Sequence, residues 1–464
     1  MDKRTGWMTA GIVLLFRAAT PAASTAQTFT ALVRFTPAEG IFPGYVELSQ
    51  GTDGNLYGTT SENGPKRYGS FFGVTPGGAL TVRYGFDGSH GRAPFAGVIL
   101  ARDGNFYGTT EEGGANNGAP HRGTIFKITP GGALTILHTF DTTDGTIPYA
   151  PLVQAMDGEL YGTTAYGGPP NNGCFRGSCG TIFKITPGGN FTMLHAFGGG
   201  DGANPYTGLI QAADGEFYGT TYGGGANACA QINGGGCGTV FKIPSGGAFT
   251  VLHNFDGTDG SGSFAGLVQG TDGNFYGTTA FGGAYGYGTV FKITPERSFT
   301  TLYSFPSNGG PMGTLIQATD GNFYGTTAYG GTIFSITPDG ALTTLYTLGY
   351  YDGASPYGLV QATDGNFYGI TDEGYGTVFK LSTGLGPFVK TVSTSGKVGD
   401  AIIILGTSLT SATGVTFNGI AADFTVGSAS EISTTVPAGA TTGKVQVTTP
   451  GGTLLSNVAF HVRQ

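Results

Sequence analysis

Charge is scarce in this chain: only 11% of its 464 residues are Asp, Glu, Lys or Arg, and the formal net charge is −8. Nucleic acid and anionic membranes are poor partners for such a surface, because they are negative themselves. Tryptophan occurs once, histidine six times and cysteine four times. Within this inventory, nothing resembles a nucleophile with its base or two carboxylates tuned against each other, so we predict no catalytic residues and no enzyme activity.

Long apolar runs are also missing, except for a short one near the N-terminus. Lys3 and Arg4 precede an apolar stretch at 7–16, and small residues run up to Ala26. The stretch is too short to span a bilayer, but the order of basic, apolar and small residues is that of a secretory signal. We therefore expect residues 1–26 to be a signal peptide cleaved after Ala26, a mature net charge of about −10, and a secreted or cell-surface location.

Glycine is abundant, with 88 residues, and much of it lies in a phrase that returns seven times. The phrase runs Asp-Gly, then Asn or Glu, an apolar residue, Tyr-Gly and a Thr-rich end. Copies begin 44 to 58 residues apart, a period typical of stacked units that cannot bury their apolar faces alone. The phrase opens at Asp53, Asp103, Asp157, Asp214, Asp272, Asp320 and Asp364.

Each repeat contains four runs of strand length. In the third repeat, runs at 152–154 and 160–164 flank an Asp-Gly turn, and runs at 180–185 and 191–197 flank a Pro-Gly-Gly turn. Runs rich in β-branched and aromatic residues and divided by such turns predict a four-stranded antiparallel meander, the blade of a β-propeller. The sequence thus predicts an all-β fold with a seven-bladed β-propeller.

The seventh repeat lacks its fourth run. Its third run, 376–381, is followed by a Gly-rich segment, whereas residues 28–35 match the fourth runs of other repeats, such as 79–86 and 190–197. We expect the N-terminal strand to complete the last blade, which closes the ring and removes two exposed sheet edges.

Repeat length varies almost wholly in the loop between the second and third runs, which holds 8, 12, 15, 16, 8 and 3 residues in the first six repeats. In a meander this loop and the connection to the next blade emerge on one face, and the tight turns emerge on the other. The irregular face is the candidate binding face, because function concentrates in loops on rigid scaffolds.

The four cysteines lie in two of the long loops. Cys174 and Cys179 share one loop, and Cys229 and Cys237 share the matching loop of the next repeat. Two local disulfides are the simplest pairing and suit an exported protein. A zinc site is the alternative, which the lack of C-x-x-C spacing and of a nearby histidine pair disfavours.

The candidate ligand-binding residues are aromatic. They stand where the chain enters the innermost strand from the irregular face, so a closed ring would bring them around the mouth of the central channel. Such rings can stack on sugars or other flat apolar ligands, or they can fill the channel as core. They are Tyr45, Phe95, Tyr149, Tyr206, Phe264 and Tyr357, with Met312 at the remaining position. Glutamines further along the same strand are expected to bond the backbone or line the channel, at Gln50, Gln154, Gln211, Gln269, Gln317 and Gln361.

Other repeated residues have structural explanations. The turn Asp accepts hydrogen bonds, its Gly supplies positive φ, and the recurring Tyr packs between blades. His138, His195 and His253 share a position that holds Val or Tyr in other repeats, which indicates packing. No cofactor is expected apart from a weak calcium alternative at two Asp-x-x-Asp loops, where the carboxylates are Asp141, Asp144, Asp256 and Asp259.

Two phrases, Asp-Gly-Asn-Phe-Tyr-Gly-Thr-Thr at 272–279 and Gly-Thr-Val-Phe-Lys-Ile-Thr-Pro at 288–295, closely resemble the GloVer tandem-repeat family of exported bacterial proteins. That resemblance covers about residues 28–381. Likeness to the streptogramin-lyase propellers is confined to the Asp-Gly-Asn turn and supplies no catalytic histidine match.

Residues 386–464 differ from the repeats, with fewer aromatics and abundant Thr, Val and Ala. Phrases at 396–406, 415–419, 436–440 and 445–449 resemble an IPT/TIG immunoglobulin-like module, which implies a small β-sandwich. The expected organisation is a propeller at 27–381, a linker at 382–385 and the IPT/TIG module at 386–464.

We expect an exported, non-enzymatic binding or adhesion protein that contacts an extracellular glycan or protein through the long-loop face, without membrane insertion after signal removal. Two alternatives remain: an extracellular polysaccharide lyase or glycosidase on a propeller scaffold, and an architectural component of the cell envelope. Product release distinguishes the first alternative, and failure to bind any glycan or envelope partner favours the second.

Overall fold

The structure, a computed structural model, describes residues 27–463 apart from 45–46, 116–121, 170–173, 175–177, 230–231, 233–234, 308 and 350. The predicted signal peptide lies outside the described residues. The described part consists of β-strands, numbered β1–β38, with a short 3-10 helix at Leu409–Ser411. None of its helices has the length and hydropathy needed to cross a membrane.

Residues 28–382, the repeat region, form seven four-stranded antiparallel sheets. Six of them take four consecutive strands each. In chain order, β2–β25 are Ser49–Gln50, Leu56–Thr60, Ser70–Val74 and Leu80–Gly85; Ile99–Leu100, Phe106–Thr110, Thr124–Ile128 and Leu134–Thr139; Val153–Gln154, Leu160–Thr164, Thr181–Ile185 and Phe191–Ala196; Ile210–Gln211, Phe217–Thr220, Thr239–Ile243 and Thr250–Asn254; Val268–Gln269, Phe275–Thr279, Thr289–Ile293 and Phe299–Ser304; and Ile316–Gln317, Phe323–Thr327, Thr332–Ile336 and Leu342–Thr347.

The seventh sheet joins both ends of the repeat region. Its strands β26–β28 come from the seventh repeat, and its outer strand is β1 from the N-terminus, which pairs antiparallel with β28. The prediction that the N-terminal strand supplies the missing fourth strand is confirmed. These strands are Thr28–Arg34 (β1), Pro356–Gln361, Phe367–Thr371 and Thr377–Ser382.

The repeated phrase specifies both the turn and the packing of each sheet. In the fifth sheet, Asp272 Oδ1 accepts a 3.1 Å hydrogen bond from the Asn274 N–H, and Gly273 has φ 83°. Gly277, in the middle of the second strand, lies under the ring of Phe291, and a Cβ there would come within 2.5 Å of that ring. Only glycine therefore lets the third strand pack this closely.

Neighbouring sheets pack through the recurring tyrosine. Tyr218 stacks on Phe275 of the next sheet at 4.0 Å, and its hydroxyl donates a 2.7 Å hydrogen bond to Asp214 of its own turn. The packing role predicted for this tyrosine is confirmed. The same ring contact, at 4.0–4.4 Å, joins Tyr57 to Phe106, Tyr161 to Phe217, Tyr276 to Phe323 and Tyr324 to Phe367.

The glutamines of the innermost strands connect each sheet with the preceding one. Gln211 Oε1 accepts a 2.7 Å hydrogen bond from the Met156 N–H of the third sheet, and its Nε2 donates to Gly215 O at 2.9 Å. Gln50 of the first sheet accepts from the Thr363 N–H of the seventh sheet at 3.1 Å, so the series leads from the last sheet back to the first. Equivalent bonds to the preceding sheet are made by Gln154, Gln269, Gln317 and Gln361.

Residues 388–463, the C-terminal unit, have a core of their own. Two four-stranded sheets, in the orders β29-β31-β35-β34 and β33-β32-β36-β37, enclose buried residues such as Ile404, Val415 and Phe460. A parallel pair, β30-β38, completes the unit. Strands β29–β38 are Lys390–Thr391, Ser395–Lys397, Ala401–Leu405, Gly414–Phe417, Ile420–Ala422, Phe424–Val426, Glu431–Thr435, Val445–Thr449, Gly452–Leu455 and His461–Arg463.

The C-terminal unit lies against the side of the repeat region that carries the Asp-Gly turns, called the turn face here. Ser430 Oγ donates a 2.7 Å hydrogen bond to Thr52 O, and the Phe388 N–H donates one of 3.0 Å to Thr363 O. The opposite side, the loop face, carries the loops between second and third strands and the connections between sheets. The C-terminal unit thus contacts the repeat region on its turn face.

Candidate functional site

Four of the predicted aromatic residues form a continuous arc on the loop face. The ring centroids of Phe95, Tyr149, Tyr206 and Phe264 follow one another at 5.6, 5.5 and 5.5 Å, and each residue comes from a different sheet. All four side chains are partly exposed. These four residues are called the aromatic arc below.

The arc continues through the remaining predicted positions that the structure describes. Phe264 and Tyr357 both pack against a small cluster that contains the buried Met312. Tyr45 lies outside the described residues. The predicted arrangement of these side chains is therefore seen from the second sheet to the seventh, whereas their role in ligand binding stays a prediction.

Two tyrosines that the spacing rule misses join the arc. The Tyr166 hydroxyl lies 2.6 Å from the Tyr206 hydroxyl, and the Tyr222 ring lies 4.6 Å from the Phe264 ring. Burial, followed by the bond to Tyr166, raises the pKa of Tyr206 far above its usual value, so its hydroxyl stays protonated. Both residues stand just after a Gly-Thr-Thr run, where the chain enters the loop face, and that position is a usable sequence signal.

Carboxylates also lie on the loop face, and one of them contacts the aromatic arc. Glu111 Oε1 accepts a 2.8 Å hydrogen bond from the Tyr149 hydroxyl, and Glu112 pairs with Arg92 at 2.5 Å. Asp372 in the seventh sheet has one buried carboxylate oxygen without a hydrogen-bond partner. Burial, helped by the negative charge of nearby Glu62 and Glu373, raises the pKa of Asp372. The loop face therefore combines the aromatic arc with carboxylates from the second and seventh repeats.

The turn aspartates have the structural role that the sequence predicts. In every repeat a tyrosine four residues downstream donates its hydroxyl hydrogen to the Asp at 2.7–2.9 Å. Burial and the bond to Asp53 raise the pKa of Tyr57 to about 12. These carboxylates are spread around the turn face, and each of them is bonded within its own turn.

The three histidines pack against aromatic rings, and each of them also contacts an aspartate side chain. His195 Nε2 lies 2.9 Å from Asp201 Oδ2, and its ring stacks on Phe249 of the next sheet at 4.0 Å. His138 and His253 repeat this arrangement with Asp144 and Phe191, and with Asp259 and Phe299. In the sixth sheet Tyr346 takes the place of the histidine, bonding Asp352 and stacking on Phe29 of β1.

The two Asp-x-x-Asp loops use their oxygens internally. Asp141 Oδ1 accepts from the N–H and the hydroxyl of Thr143 at 2.7 and 2.5 Å, and these bonds lower the pKa of Asp141. Asp144 Oδ2 is engaged by His138, as described above. Among the described residues, no cluster of three or more His, Cys, Asp or Glu side chains is arranged to hold a metal ion.

Both predicted disulfides are present. Cys174 is bonded to Cys179 and Cys229 to Cys237, and the described part of the chain contains no free cysteine. Cys229 and Cys237 are buried beside Ile232 and Phe255, so this bond fastens a long loop to the edge of the fourth sheet. Two disulfides are compatible with an extracellular protein.

Solved structures similar to this one are β-propeller proteins of low sequence identity. A streptogramin B lyase matches with a TM-score of 0.54 and 15% identity over 78% of this chain and 99% of its own. A virginiamycin B lyase from Staphylococcus aureus, crystallised as an inactive variant with quinupristin, gives 0.54 and 14% over 77% and 99%. Identities this low show the fold alone.

A third similar structure extends over the C-terminal unit. A fungal alcohol oxidase of the AA5 family, solved in complex with copper, matches with a TM-score of 0.54 and 15% identity over 95% of this chain and 100% of its own. No curated protein matches this chain by sequence.

The repeats themselves identify the family. The sequence model of the Gloeobacter/Verrucomicrobia repeat matches residues 19–233 and 228–429, which is most of the chain. The repeated Asp-Gly turns, tyrosines and buried glycines described above are therefore features of a shared repeat, and the chain belongs to the Gloeobacter/Verrucomicrobia repeat family.

Proposed function

We propose that this is an exported, non-enzymatic glycan-binding protein. Its repeat region is a seven-bladed β-propeller closed by β1, and its C-terminal unit is an immunoglobulin-like module of the IPT/TIG type. The aromatic arc is the observation that carries the proposal. A row of partly exposed rings around a channel mouth offers the flat apolar faces on which sugar rings stack.

The polar groups beside the arc suit sugar hydroxyls. Tyr149 and Tyr206 carry hydroxyls that donate and accept hydrogen bonds, and Glu111 supplies a carboxylate within 2.8 Å of the Tyr149 hydroxyl. A sugar placed on the arc would thus meet an apolar face below and hydrogen-bonding groups at its edge. Pockets that bind small molecules combine the same two elements.

A groove between the first two sheets extends the proposed site. Its volume is about 230 Å3, and its lining includes the charged side chains of Glu62, Arg67, Arg92 and Glu112 together with the exposed ring of Tyr68. An arginine and an acid on one wall recognise the hydroxyl or carboxylate groups of a second sugar unit. We therefore favour an oligosaccharide over a single sugar.

The proposal is tested with a glycan array and residues 27–464. Saturable binding is expected, and Tyr149→Ala or Tyr206→Ala should weaken it by more than about tenfold, since central aromatic residues dominate binding energies. Tyr375→Ala is the matched control, because Tyr375 is 54% exposed and lies outside the arc. Unfolding temperatures of all variants separate lost binding from lost folding. An array without any binding refutes the proposal and favours an architectural role.

Cleavage of a polysaccharide is the second candidate, and Asp372 favours it. A buried carboxyl with a raised pKa beside a sugar-binding surface has the property that a general acid needs. Incubation with a polysaccharide panel and chromatography of the products tests this. Product release that Asp372→Asn abolishes would replace the binding proposal with an enzyme, whereas binding without turnover excludes it.

A further inference from the structure

The innermost strands of all seven sheets line a cavity of about 300 Å3 that lies just inside the aromatic arc. Its walls are mainly aliphatic. The arc residues stand two positions before the first wall residues of their strands, so the cavity begins where the arc ends. The partly exposed aliphatic residues of the lining include Ile99, Val153, Ile210 and Val360.

The far end of the cavity is formed by Lys390, which belongs to β29 of the C-terminal unit. This unit contacts the turn face, and Lys390 is the residue that it adds to the cavity lining, so the lysine lies at that end of the cavity. Lys390 is partly buried and belongs to the lining of the cavity. Closing the far end turns a through-channel into a pocket.

The ammonium group of Lys390 has no counter-ion among the described residues. No carboxylate lies within ion-pair distance, and burial alone lowers its pKa to about 8. A buried charge without a partner is costly, and an apolar side chain would close the channel without that cost. A lysine in this place therefore points to a ligand that supplies the missing negative charge.

Glu47 is the second titratable residue in the lining. Burial raises its pKa, although a hydrogen bond from Thr314 opposes that effect. In the described structure no ion pair joins Glu47 to Lys390. The cavity thus has an unpaired cation at its closed end, aliphatic walls, and an acid whose ionisation burial disfavours.

We propose that this cavity binds a small amphiphilic carboxylate, with its apolar chain along the aliphatic walls and its carboxylate at Lys390 Nζ. The aliphatic walls argue against a free sugar, whose hydroxyls would lose their hydration without replacement. The volume is suited to a chain of several carbons and not to a large lipid. The site is independent of the glycan proposal, because it uses the interior of the channel and not the rings at its mouth.

Isothermal titration of residues 27–464 with octanoate tests the site. One octanoate per chain is expected to bind saturably, and octanol, which lacks the charge, should bind at least about tenfold more weakly. Lys390→Met should weaken octanoate binding by more than about tenfold, whereas Lys390→Arg should retain it. Lys397→Met is the matched control, since Lys397 is exposed on the same unit and absent from the lining.

The pH dependence gives a second readout. Glu47 and Lys390 are the titratable groups that face the cavity, and only protonated Lys390 attracts a carboxylate. Octanoate binding should therefore fall as the pH rises above about 8, the pKa of Lys390. The Glu47→Gln variant lacks the other titratable group. Its octanoate binding should still fall over the same pH range, because Lys390 causes the fall.

Two results overturn the proposal: no saturable octanoate binding to the intact protein, or equal binding by the Lys390→Met variant with an unchanged unfolding temperature. Tyr149→Ala should retain octanoate binding even where it loses glycan binding. Failure of one site is thus distinguishable from failure of the other.

Discussion

The turn face and the loop face of the repeat region are built from the same seven repeats but differ in how much they vary. On the turn face, every repeat makes the same Asp–Tyr hydrogen bond, and six innermost strands carry the same bridging glutamine. The loop face, by contrast, holds the aromatic arc and carboxylates that only some of the repeats contribute. Residues on the turn face are therefore nearly the same in all repeats, whereas residues on the loop face differ from repeat to repeat.

The difference follows from what each face must do. The turn face lies under the C-terminal unit and connects each sheet with the preceding one, so a change there disturbs packing. Loop-face side chains are partly exposed and are set on strands that other contacts already hold. Substitutions should accordingly cost stability on the turn face and binding on the loop face.

The largest difference in stability is expected between two variants in which a tyrosine is replaced by leucine, one on the turn face and one on the loop face. Tyr218→Leu removes a buried ring that stacks on Phe275 at 4.0 Å and the hydrogen bond to Asp214, so it should lower the free energy of unfolding by about 3 kcal/mol. Tyr285, which is 60% exposed on the loop face, should tolerate replacement by Leu within about 0.5 kcal/mol. Urea unfolding measures both. Equal losses of the free energy of unfolding in the two variants would contradict the expected difference between the faces.

A smaller loss is expected from breaking one bridge between sheets. Gln211→Leu leaves the Met156 N–H and Gly215 O without their partner and should cost about 1–2 kcal/mol. The second sheet has Leu100 at this position, so the series of sheets forms with one such bridge missing. Gln446→Leu in the C-terminal unit serves as the control, with an expected change below about 0.5 kcal/mol. A neutral Gln211→Leu variant would show that solvent replaces the bridge.

The smallest effects should have opposite signs on the two faces. Burial raises the pKa of Asp272 at a turn, but hydrogen bonds from Asn274 and Tyr276 outweigh it, so its pKa lies below the ordinary 3.8. Ionised Asp272 therefore stabilises the fold above pH 3.8, and this contribution is lost as the pH falls through its folded pKa. Asp272→Asn should destabilise the protein at pH 7 by less than about 1 kcal/mol, because the group is exposed to solvent.

Asp372 on the loop face should behave in the opposite way. Its pKa is raised above 3.8, so its ionisation at pH 7 costs stability, and the cost disappears below pH 3.8, where the carboxyl is protonated in both states. Asp372→Asn should raise the unfolding temperature at pH 7, and the gain should shrink as the pH approaches 3.8. Thermal unfolding of both variants at pH 4, 5 and 7 checks the pair. If both substitutions shifted the unfolding temperature in the same direction at pH 7, the opposite pKa shifts given for Asp272 and Asp372 would be refuted.

The repeat region was predictable from the sequence because each determinant is local. Asp272-Gly273 sets a turn within two residues, Gly277 admits the ring of Phe291, and strands alternate with turns at a constant count. Even the pairing of β1 with β28 follows from counting strands. Seven repeats contain only six fourth strands, so the seventh sheet needs a strand from elsewhere in the chain. The aromatic arc was predictable for the same reason, because its members share one position in the repeat.

The remaining features of the site depend on contacts between distant segments. Tyr166 and Tyr222 stand just after a Gly-Thr-Thr run, but only their contacts with Tyr206 and Phe264 of neighbouring segments show that they join the arc. Asp372 owes its raised pKa to burial and to Glu62, more than 300 residues away along the chain. The presence of Lys390 in the cavity lining requires the C-terminal unit to lie on the turn face, which no short motif encodes.

By itself, the sequence determined the sheets, their number and the strand that joins the first repeat to the last, because turns and buried glycines act over a few residues. Only the tertiary structure decided which face the C-terminal unit contacts, which carboxyl group becomes buried and which lysine enters the cavity lining. These outcomes depend on surfaces that exist only after the sheets have packed, and burial then changes the charge and exposure of residues that look ordinary in the chain.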